Sequence, residues 1–265
     1  MLYEKFSDFA NHNNLPDFAR DMRLAVLITC HNRVENTLAC LSRLMPQLSL
    51  VDKVFLVDDG STDGTGARVR SAYPAVHVID GDGSLYWAKG MRKAWEEAVE
   101  KDDWEAYLWL NDDTELNADA VEKMLAKNDG QSMVVGDLCD STGRLVYGLN
   151  VDGWVNGNCV IVPRRIYEKV GMICGGYRHA WADSDYALHA KRAGFAVVGA
   201  GMVGKTEWHP LRPDLSMMSL SQRWYSLFEP KGWNLHDLWL YRRRNWGIFR
   251  AMVSSVHFMA HVLCG

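Results

Sequence analysis

The chain has 265 residues, 48% of them hydrophobic, enough for one large α/β domain with a short addition at its end. Its formal net charge of -4 argues against a nucleic-acid binder, which would carry a basic balance. Six cysteines lie scattered with no C-x-x-C spacing, which excludes a zinc ribbon or a disulfide frame and suits reduced thiols in a cytoplasmic protein.

Residues 1–22 read as an N-terminal extension, polar and aromatic, without the apolar run of a signal peptide. No window along the chain reads as a spanning helix. Residues 23–30 form a continuous apolar run, the pattern of a strand buried on both faces, and break into His31-Asn32-Arg33. Residues 34–47 then carry Leu38, Leu41, Leu44 and Met45 at helical spacing. A second strand over 51–57 ends in Asp58-Asp59-Gly60-Ser61-Thr62-Asp63-Gly64, and a helix (65–72) and a strand (76–79) complete a βαβαβ pattern. That alternation predicts a parallel sheet with right-handed crossovers. The loop 81–91 is glycine-containing and opens a helix running to about Val99, whose N-terminus favours an anion. Neither G-x-G-x-x-G nor a P-loop pattern occurs.

The next strand, 106–110, stops in Asn111-Asp112-Asp113. Acids at the carboxyl end of a buried strand sit where open α/β sheets bind ligands, and their mutual repulsion invites a divalent cation with oxygen ligands. The plainer reading is an acidic turn ahead of the helix 117–127, with Asn117 or Asp119 as N-cap. Residues 132–138 and 144–150 suit a hairpin, 153–162 a loop entering a strand, and 163–170 a helix with Pro163 in its first turn. A glycine-bearing loop from Cys174 ends in Asp183-Ser184-Asp185, where Asp183 or Ser184 would cap a helix reaching Ala193. Two strand-like runs, 195–199 and 202–205, lead to Trp208-His209-Pro210.

Residues 211–265 change character. Arg242-Arg243-Arg244 precedes Trp246, Phe249, Val253, Val256 and Leu263 on one helical face, a pattern that suits an anionic membrane surface; a helix docked on the main domain is the alternative. Eleven tryptophans are available for packing or for lining a sugar site.

Three acidic clusters (Asp58/Asp59, Asn111/Asp112/Asp113 and Asp183/Asp185) and His209 thus fall at strand ends or helix starts, which converge on one crevice in such a sheet. Acids, one histidine and an anion-friendly loop fit a metal-bound diphosphate, with a separate carboxylate free to take a proton from a hydroxyl. The reaction class is transfer of a group from an activated diphosphate donor to an alcohol.

The ordered segments Val26-Leu27-Ile28-Thr29-Cys30-His31-Asn32-Arg33, Val57 to Gly64, Leu110-Asn111-Asp112-Asp113-Thr114, Gly157-Asn158 with Pro163-Arg164-Arg165, Trp181 to Tyr186, and Trp208-His209 resemble the inverting family 2 glycosyltransferases of the GT-A fold. The likeness covers residues 23–210 and is similar to the rhamnosyl- and galactofuranosyltransferase branch. It implies a mainly parallel central sheet flanked by helices, with a small helical C-terminal part. It implies a nucleoside-diphosphate sugar donor, a glycan or lipid-linked acceptor, and Mg or Mn as cofactor. Carried over by position, Thr29, Asn32, Arg33, Asp58, Asp59 and Asp112 would line the nucleotide, and Asp183 would be the general base. Asn111, Asp113 and His209 would be metal ligands, although Asn111 stands where the family usually has an acid. Contacts to the sugars are expected from Trp87, Lys89, Gly90, Trp154, Asn158, Trp181 and Asp185. A sugar nucleotidyltransferase and a degenerate, non-catalytic GT-A module are the rival readings. The first would want a Gly-rich, basic loop after the first strand; the second draws on Asn111.

Overall fold

The computed structural model describes residues 22–149, 155–207 and 213–264. Four parallel strands, β1 (Leu24–Cys30), β2 (Lys53–Asp58), β3 (His77–Asp80) and β4 (Ala106–Leu110), lie in the order β3-β2-β1-β4. Their crossovers are α1 (Val34–Leu44), α2 (Thr65–Ala72) and α3 (Tyr86–Lys101). Successive side chains of β1 point to opposite faces. Leu24, Val26 and Ile28 join Cys40, Leu41 and Leu44 of α1 in one core, while Ala25 and Leu27 join Ala88, Met91 and Trp95 of α3 in the other. Burial on both sides is why this strand reads as an unbroken apolar run.

The second half adds β5 (Thr114–Leu116), α4 (Ala120–Lys127), β6 (Ser132–Cys139), β7 (Leu145–Tyr147), β8 (Cys159–Pro163), α5 (Arg164–Val170), α6 (Ala182–Arg192) and β9 (Ala196–Thr206). All nine strands make one sheet, ordered β3-β2-β1-β4-β8-β6-β9-β5 with β7 on the edge of β6. β8 runs antiparallel to β4 and β6, and β5 antiparallel to β9, so the mainly parallel sheet is a mixed one beyond β4. These reversals matter for position. The antiparallel start of β8 lies opposite the end of β4, with Cys159 across from Leu110, and the end of β9 lies opposite β5, with Thr206 across from Thr114.

Two details differ from the sequence reading. The two runs expected near 195–205 are one strand, β9, whose register shifts beside Gly201 at φ +76, so a glycine-bearing bulge and not a turn separates the apolar stretches. Helix α6 begins at Ala182 after Trp181 in a left-handed conformation (φ 72), so neither Asp183 nor Ser184 is its N-cap.

The C-terminal segment forms α7 (Leu220–Ser226), opened by a Ser219/Gln222 capping box, and α8 (Leu235–Cys264), broken at Gly247 (φ 84, ψ 172). Its first half docks on α6: Arg192 donates to the Asn245 side chain at 2.9 Å and Arg244 to Asp185 at 3.0 Å. Reading the sequence found no spanning helix. Among the described residues α8 is, by length and composition, apolar enough to cross a membrane. The arginines gather before Gly247, leaving Arg250 the one Asp, Glu, Lys or Arg between 247 and 264. Most of the tryptophans placed inside are packing. Trp95, Tyr107, Trp109, Tyr167 and Tyr186 form one aromatic cluster under α3, with ring centroids 4.9 to 5.8 Å apart. All six cysteines are free thiols, four of them buried.

The join between β9 and β5 depends on Gly204, where a Cβ would stand 2.5 Å from the Glu115 carbonyl oxygen. Backbone cannot rotate out of the way, so Gly204→Ala should cost about 1–3 kcal/mol and lower Tm in a thermal melt. Gly199→Ala, in the same strand with nothing within 4 Å, should leave Tm unchanged.

Candidate functional site

The carboxyl ends of β1, β2 and β4 open onto one edge of the sheet, and buried carboxylates organise it. Asp58 accepts the N–H groups of Ser61 (3.1 Å) and Gly66 (2.9 Å), closing the turn after β2. Asp59 accepts those of Gly83 (2.8 Å), Leu85 (3.0 Å) and Tyr86 (3.0 Å). The start of α3, expected to receive a ligand anion, is therefore filled by a carboxylate of the chain itself. The glycines of that loop follow: a Cβ on Gly81 would come within 2.7 Å of the Asp59 carboxylate.

At the end of β1, Thr29 is half-buried beneath α3, whose Gly90 permits the approach; any Cβ there would collide with the Thr29 hydroxyl. Gly90 thus serves helix–strand contact. His31 Nδ1 lies 2.6 Å from the Asp59 carbonyl oxygen, and Asn32, at φ 52, accepts the Thr62 N–H at 2.7 Å. Arg33 reaches across to β4, its Nη1 donating to Asp113 at 2.7 Å and Asp112 at 3.2 Å. Burial pushes the Asp112 carboxyl up to about 6; Arg33 opposes the shift and Asp113 adds to it.

Asn111 is held on both sides of its amide. Its Oδ1 accepts from Trp87 Nε1 at 2.8 Å and its Nδ2 donates to Asn158 Oδ1 at 2.9 Å. The indole nitrogen only donates, which fixes the orientation of the amide, and an aspartate could not make the second bond. The adjacent Gly157 donates its N–H to Asp183 Oδ2 at 2.8 Å, and a Cβ on Gly157 would stand 2.5 Å from the Trp87 ring. Asp183 is half-buried in the first turn of α6; burial raises its pKa, while the Ser184 and Gly157 N–H groups lower it. Hydrogen bonds thus run without a gap from Asp59 through the start of α3 and Trp87 to Asn111, the 157–158 loop and Asp183.

Other expected contacts lie differently. Lys89 lines an open cavity of about 580 Å³ with Leu85, Arg92, Lys93, Glu96 and the loop 174–176. Trp181 stacks on Tyr241 of α8, centroids 4.9 Å apart. Asp185 is buried and its carboxylate is engaged by Arg244 (3.0 Å) and Asn245 (2.7 Å), so it joins α6 to α8 instead of facing a sugar. Arg244, read from the sequence as part of a membrane-facing cluster, points inward for the same reason. Trp154 and His209 lie outside the described residues. Thr206, three residues before His209, sits with its hydroxyl 3.5 Å from Asp113.

Among the described residues no three His, Cys, Asp or Glu side chains converge to hold a metal ion. The donor chemistry nonetheless fits a hard divalent cation. Asp112 and Asp113 set two carboxylates against the single guanidinium of Arg33, leaving negative charge uncompensated on oxygen donors. Sequence reading marked Gly157-Asn158 without showing that Gly157 bonds Asp183, and it missed the α8 residues that meet α6. Only the spacing of Asp237, Tyr241, Arg244 and Asn245 on one helical face could have signalled the latter.

The sequence pattern of glycosyl transferase family 2 matches residues 25–185, from β1 into the first turn of α6. No protein of curated function matches the chain. Among solved structures, a mannosyltransferase from Pyrobaculum calidifontis in complex with GDP-Man and Mn2+ is similar at TM-score 0.59 and 14% identity, over 97% of this chain and 75% of that one. S. aureus TarS 1–349 is similar at TM-score 0.57 and 13% identity, over 91% and 81%. Glucosyl-3-phosphoglycerate synthase from Mycobacterium tuberculosis, in complex with Mn2+, UDP-glucose and glycerol 3-phosphate, is similar at TM-score 0.50 and 14% identity, over 72% and 74%. At such identities the likeness is one of fold. With more than half its length under the family's sequence pattern and the GT-A fold around it, the chain belongs to glycosyl transferase family 2.

Proposed function

We propose that this chain transfers a sugar from a nucleoside diphosphate to a hydroxyl of a glycan or lipid-linked acceptor, with inversion, in surface polysaccharide synthesis. The observation that carries the reading is the hydrogen-bond path joining Asn111, two residues before Asp113, to Asp183 through the 157–158 loop. It links a carboxylate with a raised pKa to the residue that follows β4, which supports a one-step displacement with Asp183 as its base. In that step Asp183 takes the proton of the acceptor hydroxyl as its oxygen attacks the anomeric carbon opposite the diphosphate. The anomeric carbon–oxygen bond breaks, its electron pair leaves on the nucleoside diphosphate, and the configuration inverts. A Mg or Mn ion, held by Asp113 with Asn111 and His209 as further candidate ligands, would offset charge on the leaving diphosphate. Arg33 brings a fixed positive charge to the same place. The GDP-Man and UDP-glucose bound by two of the structural neighbours support the donor class. Within it, dTDP-rhamnose, UDP-galactofuranose and UDP-hexoses are the donors to screen.

Asp183→Asn should lower kcat by about 10²–10⁴-fold while leaving nucleoside-diphosphate binding, followed by calorimetry, intact. In the unmodified enzyme a protonated base is inactive. Activity should therefore rise with pH through the raised pKa of Asp183, placing the acid limb above the ordinary aspartate value of about 3.9. Full turnover by the Asn variant means the base lies elsewhere.

Release of nucleoside diphosphate should require added Mg or Mn and stop with excess chelator; Asp113→Ala should abolish it at any metal concentration. Undiminished release in chelator would remove the ion from the reading.

We place the acceptor at the cytoplasmic membrane face; the reading is supported by exposed apolar residues of α8, with Ile248 62%, Phe249 75% and Val256 60% exposed, by Trp224 and Tyr225 of α7, and by Phe228 just after it. The protein should co-sediment with anionic phosphatidylglycerol vesicles, and Phe249→Asp with Val256→Asp should weaken this. Equal sedimentation of the variant would count against the surface.

A further inference from the structure

Asp237 lies outside the region matched by the family pattern, in the first turn of α8, and is 0% exposed. Among the described residues no arginine or lysine pairs with it. Its carboxylate instead accepts three consecutive backbone N–H groups, those of Arg178 (3.0 Å), His179 (2.9 Å) and Ala180 (3.0 Å). Asn234 Nδ2 (2.7 Å) and His236 Nδ1 (2.9 Å) complete its shell. One turn on, Tyr241 stacks on Trp181 at an interplanar angle of 25°. A further turn on, Asn245 bonds the Asp185 carboxylate at 2.7 Å. One face of α8 therefore grips residues 178, 179, 180, 181 and 185, bracketing Asp183 on both sides. Trp181 is held at positive φ within this grip, a conformation that needs outside support in a bulky residue.

We infer that Asp237 is a positioning residue, and that the face it shares with Tyr241 and Asn245 sets the place of Asp183 against the 157–158 loop. The inference rests on Asp183 being the base for its catalytic meaning, though not for its geometric content. Asp237→Asn would turn an amide N–H₂ toward backbone donors and release them. Tyr241→Leu would remove the stack on Trp181 with a milder effect on folding.

Hydrogen exchange and the amide resonance of Gly157 test it without any substrate. Gly157 belongs to another element and reports on Asp183 through its N–H bond to that carboxylate. In Asp237→Asn, amides 178–180 and 157 should exchange faster while β1, β2 and β4 keep their protection. Tyr241→Leu should move the Gly157 amide likewise, and carries the test if Asp237→Asn does not fold. In assays of nucleoside-diphosphate release from UDP-glucose, UDP-galactofuranose and dTDP-rhamnose, kcat should fall about 10²-fold with KM for the donor unchanged. An unaltered Gly157 amide in the folded variants would overturn the inference. So would kcat falling only in step with the folded fraction. If the Gly157 amide moves but the unmodified protein releases no nucleoside diphosphate from these donors, the grip stands and the transferase reading is what fails.

Discussion

A carboxylate removed from water must find donors, and this molecule satisfies several of its buried acids with its own backbone amides and a few fixed side chains. Asp58 and Asp59 gather the loops after β2 and β3, and Asp237 gathers the loop before α6. Asp185, in turn, locks α6 to α8. The first three sit where an irregular segment must hold one shape, and two or more convergent hydrogen bonds fix it there. The cleft at the sheet edge is a by-product of this economy: its walls are loops clamped from behind by buried charge.

Against that background Asp112, Asp113 and Asp183 stand apart. Arg33 faces the first two, with the Thr37 and Thr206 hydroxyls each at 3.5 Å, and among the described residues Asp183 has the Gly157 amide as its partner from outside its own turn. Acids held so sparingly keep oxygen lone pairs free for a cation, a proton or a ligand. Acids saturated by the backbone do not. The contrast is clearest for Asp59 and Asp237, which accept three backbone N–H groups each.

Strands buried on both faces and helices with one apolar stripe announce themselves in sequence, so β1, β2, β4, α1 and α3 were legible from periodicity alone. The order of acidic clusters likewise marked the turns after β2 and β4 and the start of α6. What one-dimensional reading could not show is the direction of a carboxylate. Asp58, Asp59 and Asp185 look like ligand-binding acids by position, yet their oxygens turn to backbone or to α8. Gly90 looked like a site residue and is a spacer over Thr29. Nor could spacing tell that Asn111 is locked between Trp87 and Asn158, a fact about three elements distant in the chain. The clamp on α6 escaped notice because its members lie some 60 residues from their partners, beyond any local pattern.

Gly247 divides α8 into a half that holds the α6 segment and a half that buries Ala251 and Val262 while Ile248, Phe249 and Val256 face outward. Its dihedrals, φ 84 and ψ 172, belong to a region that essentially only glycine occupies. A single rigid rod could not serve both neighbours. With the bend fixed in one backbone unit, the angle between the half that holds α6 and the outer half is written into the chain itself.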